Sequence, residues 1–159
     1  LAARGQVVAA AVVNPMTGEC GFWVEGAPPR FEGLTARAVP KSLDEAEAIV
    51  SRTETEAGDL VRIAGLVGFM RPVGSVAYKL LRVAAGADAL TYSIRPKSEW
   101  DICGGAGLLF AAGRVYLRLD GAPLRFNSVD TRIPCGAVAG PPTLAEALRG
   151  RLLARSRDA

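Results

Sequence analysis

Histidine is missing altogether from this 159-residue chain. Within these residues the absence excludes a Ser-His-Asp triad, a Cys-His pair and any histidine-ligated zinc or iron centre. Carboxylate, lysine, hydroxyl and metal–oxygen chemistry remain. Cysteine is scarce: Cys20, Cys103 and Cys135 lie far apart with no paired spacing, which suits reduced, mostly buried thiols better than a disulfide framework or a zinc site. No apolar run approaches the ~20 residues of a membrane span. Residues 1–6 lack the charged start, hydrophobic stretch and cleavage site of a signal peptide, so the chain reads as soluble and cytoplasmic. Aromatic residues make up only 6% of the sequence and form no basic–aromatic platform for stacking bases, so neither nucleic acid nor membrane is an expected partner.

What is present supports one folded unit. A chain of this length with 50% hydrophobic residues can bury roughly 70% of its unfolded surface in a single core. A net charge of +3 favours anionic ligands only weakly, because Arg149, Arg151, Arg155 and Arg157 crowd the last predicted helix and read mainly as a solvated face.

Hydrophobic periodicity alternates between strands and helices. Residues 6–13 and 19–24 read as a hairpin around the turn at 14–18, followed by a loop at 26–33 containing Pro28 and Pro29. A strand at 46–52, a helix at 54–64 and a strand at 68–73 come next. Ser75 is a suitable N-cap for a helix on which Val76, Leu80 and Val83 recur, with Gly86 just past its end. The pattern predicts a strand at 87–94, a helix at 99–112, a strand at 114–119, a turn at Asp120-Gly121, a strand at 136–139 and a last helix at 143–155 capped by Thr143. Strands alternating with helices of about a dozen residues imply a layered α/β sheet, in which ligands gather beyond strand ends.

Three junctions place polar groups at such ends: Ser51-Arg52-Thr53, Gly74-Ser75 with Lys79 one turn into the helix, and Glu99-Trp100-Asp101. Ser75 can simply cap its helix, or its hydroxyl and the free amides behind Gly74 can bind an anion that Lys79 helps to neutralise. Asp101 can complement the helix dipole or ligate a hard cation. Gly104, Gly105 and Gly107 each cost about 0.5–1 kcal/mol relative to alanine inside a helix. They therefore imply close approach either of another element or of a bound phosphate, and the residues alone leave both open.

The ordered series Gly74-Ser75-Val76-Ala77-Tyr78-Lys79, Val83-Ala84-Ala85-Gly86-Ala87-Asp88-Ala89, Trp100-Asp101-Ile102-Cys103-Gly104-Gly105 and Leu119-Asp120-Gly121-Ala122-Pro123-Leu124 resembles the C-terminal half of the inositol monophosphatase superfamily. Val12-Val13-Asn14-Pro15-Met16-Thr17-Gly18-Glu19 is similar to the hairpin that follows that family's main metal motif. The resemblance implies the layered α-β-α fold of the inositol monophosphatase/fructose-bisphosphatase type. Residues 1–33 would be a hairpin and loop from the N-terminal sheet, and residues 34–159 the C-terminal α/β subdomain that contributes to substrate and metal sites. It also implies Mg²⁺-dependent hydrolysis of a small phosphate monoester. Asp101 would be a metal ligand and Gly74 and Ser75 substrate contacts.

Lys79 and Ser51-Arg52-Thr53 are similar to the lysine and the Ser/Thr-Arg-Ser-His segment of the 3′(2′),5′-bisphosphate nucleotidase branch, which makes Lys79, Ser51 and Arg52 further substrate contacts. Tyr92 and Ser93 stand where inositol-specific members carry a glutamate, and Glu54 stands in place of the branch's histidine, a charge that would repel phosphate if it pointed inward. The family's glutamate-rich segment and Asp-Pro-x-Asp-Gly-Thr motif do not occur in the 159 residues, which open at Leu1 just ahead of the hairpin. The sequence therefore reads as the C-terminal part of a longer chain, and alone it is expected to hydrolyse little. The expected partner is a small phosphate ester, a homodimer is compatible with the sequence, and a non-catalytic phosphate-binding or regulatory module is the alternative.

Overall fold

The computed structural model describes residues 1–157. Short strands β1 (Ala2–Ala3) and β2 (Gln6–Val7) precede β3 (Ala9–Val13), β4 (Cys20–Val24) and β5 (Arg30–Glu32). Then follow β6 (Glu47–Ser51), α1 (Arg52–Glu56), a 3-10 turn (Val61–Ile63), β7 (Phe69–Val73), α2 (Val76–Ala84) and β8 (Leu90–Ser93). The chain closes through β9 (Lys97–Ser98), α3 (Glu99–Ala111), β10 (Val115–Arg118), β11 (Arg132–Ile133), β12 (Ala137–Gly140) and α4 (Pro142–Arg157).

Four layers result. An antiparallel sheet β3-β4-β5 covers α2 and α3, which lie on a five-stranded mixed sheet of order β10-β12-β8-β6-β7, and α4 backs that sheet. The pleat sorts the side chains, because successive residues of a strand face opposite ways. Ile49, Ala137 and Ala139 point toward α2 and α3, whereas Ala48, Val50, Leu90, Tyr92 and Val138 join Leu144, Leu148 and Leu152 of α4. The layered α/β expectation is met.

Several boundaries differ from the sequence reading. The predicted helix at 54–64 is one turn, α1, and then a 3-10 turn, with Gly58 at φ 78° between them. That left-handed conformation ends an α-helix. The loop at 26–33 contains β5, which pairs with β4 through Cys20↔Glu32 and Phe22↔Arg30; its prolines precede the strand and leave the pairing intact. Strand 87–94 shortens to Leu90–Ser93, and α4 begins at Pro142, a residue suited to a first helical position. The arginines of α4 are not all solvated: Arg151 donates to Asp44 at 2.8 Å and to the Leu66 carbonyl at 2.9 Å.

The glycines of α3 sit at tight contacts. A Cβ on Gly105 would lie 2.4 Å from Leu80 Cβ of α2, and one on Gly107 would lie 2.7 Å from Val7 Cγ1. They allow α3 to sit between α2 and the small sheet; close packing explains them without a phosphate. The hairpin is tied to α2 by charge as well. Arg82 donates to Glu19 at 2.7 Å and to the buried Asp88 at 2.5 Å, Tyr78 donates to Glu19, and Arg71 reaches both Asp88 and Glu47.

Candidate functional site

β6 runs parallel to β7 on one side, with Ser51 opposite Val73, and parallel to β8 on the other. After β6 the chain turns to the α4 face, where Leu60 and Ile63 are buried; after β7 it enters α2 on the opposite face. Connections leaving adjacent strands on opposite faces open a crevice at the carboxyl ends, the usual ligand position in open α/β sheets.

The predicted residues Ser51, Arg52, Gly74, Ser75 and Lys79 meet there. Ser51 caps α1, its Oγ accepting the Glu54 amide at 3.3 Å. Arg52 is exposed and makes no hydrogen bond or ion pair among the described residues; its guanidinium lies where a Cβ on Gly74 would come within 3.1 Å of Nη2. Glycine at position 74 thus lets the fork lie across the chain. Ser75 caps α2, its Oγ accepting the Tyr78 amide at 3.3 Å, yet its backbone has φ 57° and ψ 117°. Such a conformation costs a non-glycine residue on the order of 1–3 kcal/mol and persists only where its surroundings hold it.

Lys79 is part of what holds it. Only 4% exposed, it donates from Nζ to the Val73 carbonyl at 3.2 Å and the Ser75 carbonyl at 3.3 Å. Burial and the neighbouring Lys97 push its ammonium down to about 8, against an opposing pull from Glu54. Lys79, Ser51, Ser93 and Lys97 line a cavity of about 20 Å³, room for one water.

Lys97 is not singled out by the sequence, because no helical or strand period marks it; the segment after β8 folds back and carries it inward. Its Nζ donates to Ser93 Oγ at 2.6 Å and to Glu54 Oε1 at 3.3 Å. Glu54 does point inward and is 1% exposed. Its second oxygen accepts the Ile94 amide at 3.0 Å, so its charge is satisfied by Lys97, Ser93 and the backbone.

Asp101 stands four residues beyond Lys97, exposed in the first turn of α3, and its Oδ2 accepts the Ser98 amide at 3.4 Å. The neighbouring Trp100 is 71% exposed. No hydrogen bond or ion pair joins Asp101 to the other five residues. A carboxylate of this kind suits a hard cation as one oxygen ligand, but among the described residues no group of three or more His, Cys, Asp or Glu side chains is placed to hold a metal. The donor set of the described residues therefore fits one corner of a Mg²⁺ site and does not complete it.

A model of the inositol monophosphatase family matches residues 1–156. The chain belongs to the inositol monophosphatase family. Among curated family relatives, a 3′-phosphoadenosine 5′-phosphate phosphatase of Mycobacterium bovis is 30% identical over 143 residues, covering 86% of this chain and 50% of the relative. The chain thus spans about half the length of that relative. Among solved inositol monophosphatase structures, staphylococcal IMPase-II superposes with a TM-score of 0.76 at 19% identity over 97% of this chain and 59% of that one. A crystal structure of SaIMPase-II with inositol monophosphate bound gives 0.73 at 18% identity, covering 94% and 58%. These likenesses establish the inositol monophosphatase fold for the described residues. None of the helices described is long and apolar enough to cross a membrane.

Proposed function

We propose that this chain supplies the phosphate-recognition part, and one metal-ligating carboxylate, of a Mg²⁺-dependent phosphomonoesterase acting on a small phosphorylated metabolite in the cytoplasm. The observation that carries the reading is the meeting of Arg52, Gly74, Ser75 and Lys79 at the ends of β6 and β7. An unpaired guanidinium, a helix start and a buried ammonium form a cradle for phosphate oxygens. Arg52 would grip two oxygens with its planar fork, Ser75 would offer its hydroxyl, and Lys79 would offset charge from beneath.

The 3′-phosphoadenosine 5′-phosphate phosphatases among the relatives, together with Lys79 on α2, favour a 3′(2′),5′-bisphosphate nucleotide over an inositol or sugar phosphate. Asp101 would hold Mg²⁺ with further ligands from outside the described residues. When bound, such an ion stabilises phosphoryl charge and acidifies its water.

Phosphate release from 3′-phosphoadenosine 5′-phosphate, measured with and without Mg²⁺, tests the division of labour. These 159 residues should bind the nucleotide but turn it over slowly. Fast Mg²⁺-dependent release that disappears in Asp101→Asn would place a complete metal site within the chain and overturn that division. The lone carboxylate also suits a phosphate-binding module without turnover, which the same assay paired with titration calorimetry would reveal as binding unaffected by Mg²⁺ and by Asp101→Asn.

A further inference from the structure

At the other end of the five-stranded sheet lies a second cavity, of about 130 Å³, lined by Arg37, Glu45, Glu47, Gly86, Asp88 and Arg114 among others. It opens where β6 begins at Glu47 and where the chain enters β8 and β10, whereas the phosphate crevice lies at Ser51. The five residues of β6 separate the two by roughly 13 Å at ~3.3 Å per step. The volume is well above the roughly 10–15 Å³ that one water requires, enough for a small polyatomic ion.

The charges of this cavity are unevenly matched. Glu47 is engaged by Arg71 and, at 3.9 Å, by Arg37; Asp88 is held by Arg71 and Arg82; Glu45 accepts the Lys41 amide at 3.2 Å. Arg114 lines the cavity and has no such counterpart: among the described residues its guanidinium makes no ion pair and no hydrogen bond. Burial lowers its affinity for the proton. Gly86 permits the approach, since a Cβ there would lie 2.9 Å from Arg114 Nη2, and its φ is 75°. The carboxyl end of α2 makes a cation favourable at this place but gives the guanidinium no side-chain partner. A charged donor without a partner is costlier than a neutral one, and a guanidinium fork matches an oxyanion's paired oxygens.

We propose that this cavity is a binding site for a small oxyanion, held by Arg114 with Arg37 at the mouth and separate from the phosphate crevice. Glu45 and Glu47 line it as well, which favours an ion of low charge over a polyphosphate.

The test titrates the isotopically labelled chain with acetate and, separately, with inorganic phosphate, against chloride at equal ionic strength, following backbone amides by NMR. Saturable shifts at Gly86, Asp88, Ala89 and Arg114, with at least one of the two ions, support the site. Shifts confined to Gly74–Lys79, or absent with both ions, overturn it. In Arg114→Met, which keeps an unbranched apolar stem and loses the fork, affinity should fall at least tenfold, whereas Arg52→Ala should change it less than twofold. Equal affinity in wild type and a folded Arg114→Met would also overturn the assignment. The mapping on wild-type protein stands even if that variant does not fold.

Discussion

Replacing Gly105 with alanine tests whether the glycines of α3 serve packing. Alanine gains about 0.5–1 kcal/mol in intrinsic helix preference. Against that gain, the new methyl would lie 2.4 Å from Leu80 Cβ, 2.8 Å from its Cδ1 and 3.1 Å from its Cγ. A Cβ cannot rotate away from its own backbone, so the two helices must separate. Leu80 is 1% exposed and has no solvent to move into. Overpacking of this kind costs about 1–3 kcal/mol, and the contact here is with an immovable atom, so the net loss should be about 1–2 kcal/mol after the helix gain. For a chain of this size each kcal/mol lowers Tm by about 2–4 °C. Urea unfolding followed by circular dichroism should show the loss for Gly105→Ala and a smaller or absent one for Gly104→Ala, whose methyl would meet its nearest atoms at 3.3 Å. If Gly105→Ala is as stable as wild type but binds phosphate esters more weakly, the packing argument fails and the glycines belong to a ligand site.

Other positions give independent tests. A methyl added at Gly150 on α4 would meet nothing within 4 Å, so Gly150→Ala should stabilise the chain by about 0.5–1 kcal/mol in the same urea assay. Asp88→Ala removes a buried carboxylate from between Arg71 and Arg82 and should cost about 1.5–3 kcal/mol, the scale of a charged hydrogen bond, because Arg82 keeps Glu19 and Arg71 keeps Glu47. Lys79 holds its proton less tightly folded, at about 8, than unfolded, at 10.5. Between those values the unfolded state binds more protons, so stability rises with pH. The penalty for burying the ammonium is complete below pH 8 and fades as pH approaches 10.5, so the stability of Lys79→Met relative to wild type should decline across that window in urea titrations. Ser75→Gly relieves the positive φ while losing the side-chain cap; it should stay within about 1 kcal/mol of wild type in stability and bind phosphate esters several-fold more weakly by calorimetry.

The strands and helices with strong periodicity were legible in the sequence. Val76, Leu80 and Val83 with the Ser75 cap placed α2 closely, and Ser51, Gly74 and Ser75 stand at the strand ends where the alternation put them. Short elements were less legible: β5 has three residues and α1 five, too few for a period to appear. Lys97 and the inward side of Glu54 were hidden for a different reason. Their pairing spans 43 residues and exists only because the segment after β8 folds back toward α1. Arg114 was equally silent, since nothing in its neighbourhood along the chain signals a buried and unpaired donor.

The central claim is that Arg52 and Lys79 recognise phosphate together at the ends of β6 and β7. Titration calorimetry of the 159-residue chain with 3′-phosphoadenosine 5′-phosphate tests it most directly, comparing wild type with Arg52→Ala and Lys79→Met. Saturable binding that weakens at least tenfold in each variant, while both remain folded by circular dichroism, is the predicted result. Equal affinity in wild type and both folded variants, or no binding to wild type, would contradict the account.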